Sequence, residues 1–285
     1  MKPGIAITGA GGLLGTALAR RLAADGNPVL ALSRRDPALP GVRWQAYDLA
    51  GEAPSAAALE GIDVIVHAAF AMGSSGPALE ELNRTAALRL RDAARAQRRH
   101  LVFISSMSAH ADAASSYGRA KWVIEQDLDP AQDAIVRPGL IIGPGGVYAR
   151  MLGMLRRTPV VPVFFGGGQP VQPIALDDLV EALRVIVTRR LAGIYNLGQP
   201  VPLTIRQLYA RMMAAAHLRR PLLPLPGGLA ALALRATEGL GLRLPVTREN
   251  LLGQKQLRAF DTEASLARLG LTLKPLEAMD WNVTP

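Results

Sequence analysis

Short apolar runs alternate with longer segments of helical pattern over the first 200 residues of the chain. Six runs are predicted as strands: 4–8, 28–33, 42–46, 63–67, 101–105 and 134–138. The first, fourth and fifth are almost continuously apolar, which is typical of strands that are covered on both faces of a parallel sheet. The pattern therefore predicts a central sheet whose middle strands are buried.

Helical segments lie between these strands. Leu14, Leu18 and Leu22 fall on one stripe after the first strand. Segment 78–98 is rich in Ala and Arg and lacks Pro, and segment 115–128 begins with two serines that can cap a helix. This alternation predicts an α/β fold, a Rossmann doubly wound parallel sheet.

The pattern changes after about residue 143, where Gly- and Pro-rich loops begin. A strand then leads into a helix that Asp177 or Asp178 is expected to cap, and 193–198 forms another short strand. The predicted division is a dinucleotide-binding domain at 1–145, completed by about 171–198, and a smaller, mostly helical substrate lobe at 146–170 and 199–285.

Composition excludes several kinds of chemistry. The chain has no Cys, so disulfides, thiolate metal sites and thiol nucleophiles are excluded, and its four His are scattered, so no metal site is expected. The N-terminus runs directly into a strand, which indicates no signal peptide. The longest apolar stretch, 222–234, is too short to span a bilayer. These observations predict a cytoplasmic protein.

The net charge of +9 raises the question of an anionic partner. The arginines are dispersed along predicted helices, and no aromatic residues interleave with them as a stacking platform would require. We interpret them as solvated helix faces and expect neither nucleic acid nor a membrane as partner. A phosphate-rich small molecule would still be attracted to this surface.

A glycine-rich turn, "TGAGGLLG", follows the first strand and opens a helix. Glycine permits the tight turn and a close approach of the backbone, and the helix N-terminus offers free N–H groups to a pyrophosphate. In this setting dinucleotide binding is favoured over a plain turn. The predicted contacts are Gly9, Gly12, Leu13, Leu14 and Gly15.

The end of the second strand distinguishes between cofactors. NAD sites usually place an acidic residue there, whereas this chain has Ser33, Arg34 and Arg35. A hydroxyl and two guanidinium groups fit a 2′-phosphate, which favours NADP(H) over NAD(H). A solvated arginine pair on a loop is the alternative.

Two further segments are candidates for cofactor contact. Asp48 and Leu49, in "YDL" after the third strand, lie where side chains can meet the adenine. Ala68 and Ala69, in "VHAAF" after the fourth strand, are small enough for the cofactor to lie against them. Simple core packing explains the two alanines equally well.

Tyr117 and Lys121 are four residues apart on a predicted helix, so they share one face. A nearby ammonium group is expected to lower the pKa of the phenol below about 10 and to make it a general acid/base near neutral pH. Ser105 and Ser106 end the fifth strand, and a hydroxyl there can hold a substrate oxygen. One of the two serines can instead satisfy backbone groups.

These motifs together resemble the extended and atypical branch of the short-chain dehydrogenase/reductase superfamily, also called the NAD-dependent epimerase/dehydratase family. The resemblance implies that Ser106 is the catalytic serine, Tyr117 the acid/base, and Lys121 both its activator and a ribose ligand. It also implies a structural role for Asn83. By the same resemblance the segment beside the nicotinamide consists of Pro138, Gly139, Leu140 and Ile141.

Two departures from the family pattern bear on the substrate. His110 stands where sugar-nucleotide members usually carry a second tyrosine, and the chain is shorter than most of those epimerases. Both weaken the case for a nucleotide sugar. Residues 69–76 and Met107, Val147, Tyr148 and Met151 are predicted to form an apolar pocket wall that would suit a hydrophobic ketone, with lobe packing as the alternative.

The leading hypothesis is an NADP(H)-dependent oxidoreductase that transfers a hydride between the nicotinamide and a small-molecule carbonyl or alcohol. One alternative is a nucleotide-sugar epimerase or dehydratase, in which arginines of the lobe would clamp a pyrophosphate: Arg150, Arg156, Arg206 or Arg219. The other is a non-catalytic NADPH-binding scaffold or sensor. Members of the superfamily often dimerise through the helices at 78–98 and 115–128, so a homodimer is an open expectation.

Overall fold

The computed structural model of the chain describes residues 1–72, 77–226 and 248–283. In chain order its strands are β1 Ile5–Thr8, β2 Val29–Ser33, β3 Val42–Ala46, β4 Val64–His67, β5 His100–Ile104, β6 Ala134–Pro138, β7 Leu140–Ile142, β8 Val161–Phe164, β9 Pro170–Val171, β10 Pro173–Ala175, β11 Gly193–Leu197, β12 Leu203–Thr204 and β13 Leu222–Leu225. Its α-helices are α1 Leu13–Ala24, α2 Pro77–Ala96, α3 Ser116–Gln126, α4 Gly146–Arg157, α5 Leu176–Arg189, α6 Ile205–Ala215, α7 Arg248–Lys255 and α8 Glu263–Leu269. Single 3₁₀ turns lie at Phe165–Gly167 and Leu276–Ala278.

Seven of the described strands form one sheet in the order β11-β6-β5-β4-β1-β2-β3, and every neighbouring pair is parallel. The chain adds β2 and β3 on one side of β1 and then adds β4, β5 and β6 on the other side. A crevice therefore opens between β1 and β4, at the carboxyl edge of the strands. The predicted Rossmann fold is confirmed, and so are the six strands predicted from the apolar runs.

Both faces of the sheet are covered, which explains the nearly continuous apolar runs of β1 and β4. On one face the buried side chains of α1 and α5 pack against the strands, together with Leu266 and Leu269 of α8. On the other face Leu90 of α2 and Ile124 of α3 pack against Phe103 of β5. The sheet is therefore a rigid platform for the loops at its carboxyl edge.

The predicted cap of α5 is wrong. The helix begins two or three residues earlier than expected, at Leu176, and its N-cap is Ala175, which makes no side-chain cap. Asp177 and Asp178 lie in the first turn, where negative charge stabilises the helix dipole. Asp178 also accepts a hydrogen bond from the backbone N–H of Lys274 at 2.9 Å, so this acidic pair anchors the C-terminal segment.

A second apolar cluster lies outside the sheet. Tyr148, Leu152 and Leu155 of α4 pack there with Leu208 and Met212 of α6. Segments 146–170 and 199–226 therefore share a core, although the division into domains stays a prediction. The apolar stretch 222–234 begins as β13, and its residues from 227 onward lie outside the described part of the chain. Within the described part no helix combines the length and the apolar character needed to cross a membrane.

Candidate active site

The glycine-rich turn packs so closely that two of its positions exclude any side chain. Gly9 has φ +70°, and a Cβ on it would lie 2.8 Å from the backbone nitrogen of Ala69. A Cβ on Gly15 would lie 2.3 Å from the carbonyl oxygen of Gly9. The turn after β1, the start of α1 and the end of β4 are thus in backbone contact, which requires glycine.

The outer side of this turn fits a phosphate group. Helix α1 starts at its N-cap Gly12 without a side-chain cap and without an acidic residue in its first turn, so its first N–H groups and positive dipole end are free for an anion. No atom lies within 4 Å of the Cβ position of Gly11, which leaves space above the turn. The Leu13 side chain packs against Gly143 and Gly145, so a second loop borders the same space.

The predicted adenosine contacts lie at the ends of β2 and β3. Arg34 and Arg35 are both exposed and follow β2 directly. The hydroxyl of Ser33 donates to the carbonyl oxygen of Arg35 at 2.7 Å, so it shapes this loop. Asp48 is also exposed, and its Oδ1 accepts a hydrogen bond from the N–H of Ala50 at 2.9 Å. Leu49 is half-buried beside the sheet core.

The end of β4 is tied to the glycine turn by a buried polar chain. The backbone N–H of Ala69 donates to the hydroxyl of Thr8 at 3.1 Å, and this hydroxyl lies 2.8 Å from Nδ1 of His67. Burial, and secondarily the charge of Lys121, lowers the pKa of His67 to about 3. This network is satisfied when the His67 ring is neutral and its Nδ1 accepts a hydrogen bond from the Thr8 hydroxyl. Ala68 and Ala69 remain half-buried at the edge of the crevice.

The N-cap of α3, the helix that carries the predicted catalytic pair, is Ser115, whose hydroxyl accepts a hydrogen bond from the N–H of Gly118 at 3.2 Å. The hydroxyl of Ser106 lies close enough to the phenol of Tyr117 to lower its pKa, and its oxygen accepts a hydrogen bond from the N–H of Ser108 at 3.1 Å. The neighbouring Ser105 is buried, and its hydroxyl has no partner among the described residues. The structure thus brings Ser106, rather than Ser105, to the tyrosine.

The pKa of Tyr117 shifts in the direction opposite to the expected one. Burial raises it, and the neighbouring Ser106 side chain lowers it only in part. Lys121 does not pair with the phenol oxygen: its Nζ donates to the carbonyl oxygen of Ile104 at 2.6 Å. Burial lowers the pKa of Lys121 to about 7, against the attraction of Glu125. The expectation that the ammonium lowers the pKa of the phenol is therefore wrong for this structure.

Two aromatic rings flank Lys121; the sequence predicted Phe70 only as part of the apolar pocket wall and assigned Phe103 no role. Its Nζ lies 4.4 Å from the ring centroid of Phe70 and 4.7 Å from that of Phe103. The ring of Phe70 also meets that of Tyr117 edge-on at 5.1 Å between centroids. The signal was present in "VHAAF", where an aromatic residue directly follows the two alanines.

Asn83 has the structural role that the resemblance implied. It is buried, its Oδ1 accepts a hydrogen bond from the N–H of Ala71 at 2.7 Å, and its Nδ2 donates to the carbonyl oxygens of Ala71 and Leu79. The segment that carries Phe70 is therefore fixed to α2. The predicted pocket residues that follow, 73–76, lie outside the described residues.

A largely buried ion pair connects α3 with the sheet. Glu125 lies one turn after Lys121 and is paired with Arg137 of β6, with Nε of the arginine 2.9 Å from Oε1. The carboxylate side chain is 1% exposed and the guanidinium 13%. The pair joins α3 to β6 of the sheet. It also places the negative charge of Glu125 near Lys121.

Helix α7 lies against the N-terminus of α3, a contact that no local pattern in the chain predicts. The carboxylate of Glu249 accepts hydrogen bonds from the backbone N–H of Ser116 at 2.8 Å and from its hydroxyl at 2.9 Å. Gln256 accepts another from the N–H of Ala114. The C-terminal part of the chain thus holds the first turn of the helix that carries Tyr117.

The segment after β6 is tightly packed. A Cβ on Gly139 would lie 1.8 Å from the carbonyl oxygen of Gln172, and the N–H of Met107 donates to the carbonyl oxygen of Pro138 at 3.1 Å. Leu140 and Ile141 continue as β7 and are half-buried. These contacts hold 138–141 beside the serine-bearing loop, at the same sheet edge as the glycine turn.

The predicted apolar pocket wall is wrong in part. Tyr148 is fully buried in the lobe core, and its hydroxyl donates to the carbonyl oxygen of Trp281 at 2.5 Å, so it packs the lobe and lines no pocket. Met107 is buried against Gly139 and Gly198, Met151 packs against the lobe core, and Val147 is 51% exposed.

Comparisons with known proteins show the family and the fold of the chain. The model of the NAD dependent epimerase/dehydratase family matches residues 5–198. A ceramide reductase from Caulobacter vibrioides is 32% identical over 203 residues, which cover 68% of this chain and 64%, less than two thirds, of that protein.

Solved structures share the fold at low sequence identity. MoeE5 in complex with UDP-glucuronic acid and NAD has a TM-score of 0.73 and 21% identity, over 98% of this chain and 97% of that one. The Bordetella bronchiseptica enzyme WbmH in complex with NAD⁺ has a TM-score of 0.74 and 16% identity, over 99% and 96%. At these identities the likeness shows the fold alone.

Proposed function

The chain belongs to the NAD dependent epimerase/dehydratase family, and from that premise we propose that it is an NADP(H)-dependent oxidoreductase that reduces a carbonyl compound. The observation that carries the proposal is the proximity of the Ser106 hydroxyl and the Tyr117 phenol at the carboxyl edge of the sheet, with Lys121 buried one helical turn further along α3. Such a pair can hold a carbonyl oxygen and exchange a proton with it.

The direction of the proton transfer follows from the pKa of Tyr117. Because burial raises this pKa above its ordinary value of 10.0, the phenol is protonated at neutral pH. It therefore suits the role of an acid that protonates the oxygen of a substrate carbonyl. Ser106 would position that oxygen through its hydroxyl, and the cation of Lys121 would stabilise negative charge as it develops. A bound nicotinamide would supply the hydride.

The residues present fit a phosphorylated dinucleotide. The uncapped start of α1 would hold the pyrophosphate, and Arg34 and Arg35 are exposed at the end of β2, where they can pair with a 2′-phosphate. These arginines support NADP(H) over NAD(H). The NAD complexes of the structural neighbours support a nicotinamide cofactor in general.

The ceramide reductase relative supports a substrate with long hydrocarbon chains. We therefore propose a ketone or aldehyde on an apolar, lipid-like molecule as the substrate class. The test is a screen of NADPH oxidation over carbonyl compounds of increasing chain length. Rates of NADPH oxidation that rise with chain length would support the proposal. The absence of NADPH oxidation with every carbonyl compound tested would contradict it.

The role of the phenol is tested with Tyr117→Phe, with Tyr209→Phe, a buried tyrosine of the lobe, as the matched control. Tyr117→Phe should lower turnover by about 10²–10⁴-fold and leave the dissociation constant of NADPH unchanged. Unchanged turnover would refute the assignment. Conversion of a nucleotide sugar without net NADPH oxidation would instead identify an epimerase or dehydratase.

A further inference from the structure

The positive charge of the chain is concentrated in the segments that build the second apolar cluster. Segments 146–170 and 199–226 contain seven arginines and no Asp, Glu or Lys: Arg150, Arg156, Arg157, Arg206, Arg211, Arg219 and Arg220. The whole chain has a net charge of +9, so these two segments hold most of the excess. Such a field on one part of a protein attracts anionic partners.

The fold brings two of the arginine pairs together. Arg156 and Arg157 end α4 just before β8, and Arg219 and Arg220 precede β13. Strands β8 and β13 are parallel, with Val161 opposite Leu222 and the N–H of Val161 donating to the carbonyl oxygen of Pro221 at 3.0 Å. Both pairs therefore lie at the same end of this two-stranded sheet, which the sequence alone does not show.

Other arginines of the lobe have local partners. Arg211 forms an ion pair with Glu277 at 3.0 Å, and Arg206 donates to the carbonyl oxygen of Gly166 at 2.6 Å. Of the two pairs at the end of β8 and β13, only Arg156 makes a side-chain hydrogen bond within the described residues, to the neutral Asn282. None of these four arginines forms an ion pair in that part of the chain, so their charge is not neutralised there.

Apolar side chains are exposed between the charged ones. Val161 and Val163 point into the lobe core, so the alternation of side chains along the strand places Val160 on the outer face. Leu223 occupies the outer face of the paired strand by the same rule, and Val160 and Leu223 are 39% and 50% exposed. We call Arg156, Arg157, Val160, Arg219, Arg220 and Leu223 the lobe patch.

Contrary to the expectation of no membrane partner that the dispersed arginines suggested, we propose that the lobe patch docks the protein on a membrane surface that contains anionic lipids. Exposed aliphatic side chains next to arginines suit the boundary between headgroups and acyl chains, where the guanidinium groups meet phosphates. Nucleic acid fits less well, because no exposed aromatic side chain stands in the patch to stack on bases. The inference does not depend on the proposed reaction.

Co-sedimentation of the full chain with vesicles tests the proposal. Vesicles of equimolar phosphatidylcholine and phosphatidylglycerol should bind it, those of pure phosphatidylcholine should not, and binding should weaken as salt is raised. The variant with all four changes, Arg156→Gln, Arg157→Gln, Arg219→Gln and Arg220→Gln, should lower the affinity on the order of 600-fold, since each cation near such a surface contributes about fivefold.

The matched control removes the same charge from four exposed arginines of the sheet domain: Arg20→Gln, Arg43→Gln, Arg98→Gln and Arg189→Gln. It should bind vesicles nearly as well as the wild type. Equal losses in the two variants would overturn the proposal, because net charge alone would then explain binding. The absence of vesicle binding, or binding of an oligonucleotide through the same arginines instead, would overturn it as well.

The exposed aliphatic side chains provide a second, independent readout. Val160→Ser with Leu223→Ser keeps every charge and should weaken binding severalfold at high salt, where electrostatic attraction is screened. Thermal unfolding of each variant checks that the fold is retained, which we expect because the substituted side chains are exposed, except Arg220, which is half-buried. An unchanged affinity of this double variant would contradict insertion into the headgroup region.

Discussion

The ring of Phe70 stands edge-on to the ring of Tyr117, with 5.1 Å between centroids and an interplanar angle of 78°. The same ring lies 4.4 Å from Nζ of Lys121. One side chain at the end of β4 thus contacts both titratable residues of the candidate active site. The ring excludes water from the ammonium group and so contributes to its burial. This burial lowers the pKa of Lys121 to about 7.

Phe70→Leu should raise the pKa of Lys121 and lower turnover. A smaller side chain admits water to the ammonium, and the gain in solvation outweighs the lost cation–π contact because burial is the largest influence on this pKa. The cation then persists to higher pH, so the alkaline limb of the kcat/KM profile should move upward. Loss of the ring contact with Tyr117 should reduce kcat by about 2–10-fold.

Phe164→Leu is the matched control, since it removes a buried ring that packs on Leu251 in the lobe. Its pH profile should equal that of the wild type. A profile of Phe70→Leu that does not move, or that moves to lower pH, would show that Phe70 does not set the environment of Lys121.

The sheet and the position of the site could be predicted from the sequence because their signals are local. Strands buried on both faces need continuous apolar runs, and Tyr117 and Lys121 share a helix face by their spacing alone. Parallel strands bring all their carboxyl ends to one edge, so the glycine turn, Arg34 and Ser106 were expected near one another once the strands were assigned.

The environment of each side chain could not be predicted, because it depends on residues that are distant in the sequence. Burial lowers the pKa of Lys121, which lies beside Phe70 from the loop after β4 and Phe103 of β5. The start of α3 is held by Glu249 from a helix more than a hundred residues away. Tyr148 belongs to the lobe core because Trp281 lies against it. The lobe patch exists only because β8 and β13 pair.

Replacing both Arg34 and Arg35 by Ala should change the cofactor preference. A charge-assisted hydrogen bond contributes about 1.5–3 kcal/mol, so the affinity for NADPH should fall on the order of 10–100-fold while that for NADH changes little. Isothermal titration calorimetry with each dinucleotide measures this. Arg20→Ala with Arg189→Ala is the matched control for net charge. Equal losses for both cofactors would show that these arginines do not contact a 2′-phosphate.

Glu125→Ala should destabilise the fold, because it leaves the guanidinium of Arg137 largely buried without a partner. We expect the free energy of unfolding in urea to fall by about 3–5 kcal/mol, and part of the loss to be recovered when Arg137→Leu is added. Glu80→Ala removes an exposed pair with Arg119 and should cost less than about 1 kcal/mol. A loss as small as that of the control would contradict a stabilising role for the buried pair.

His67 should make the stability of the protein depend on pH. Its pKa is about 3 in the folded chain against 6.5 for the free group, so the unfolded state takes up a proton first as the pH falls. This contribution is fully present above about pH 6.5 and is lost as the pH falls toward about 3, by roughly 1.4 kcal/mol per pH unit. From about pH 7 to about pH 5 the free energy of unfolding of the wild type should therefore fall by on the order of 2 kcal/mol more than that of His67→Gln.

Urea unfolding at both pH values measures the difference, with the exposed His217→Gln as control. Parallel losses in wild type and His67→Gln would mean that the ring is protonated in the folded chain and that the hydrogen bond with Thr8 has the opposite polarity.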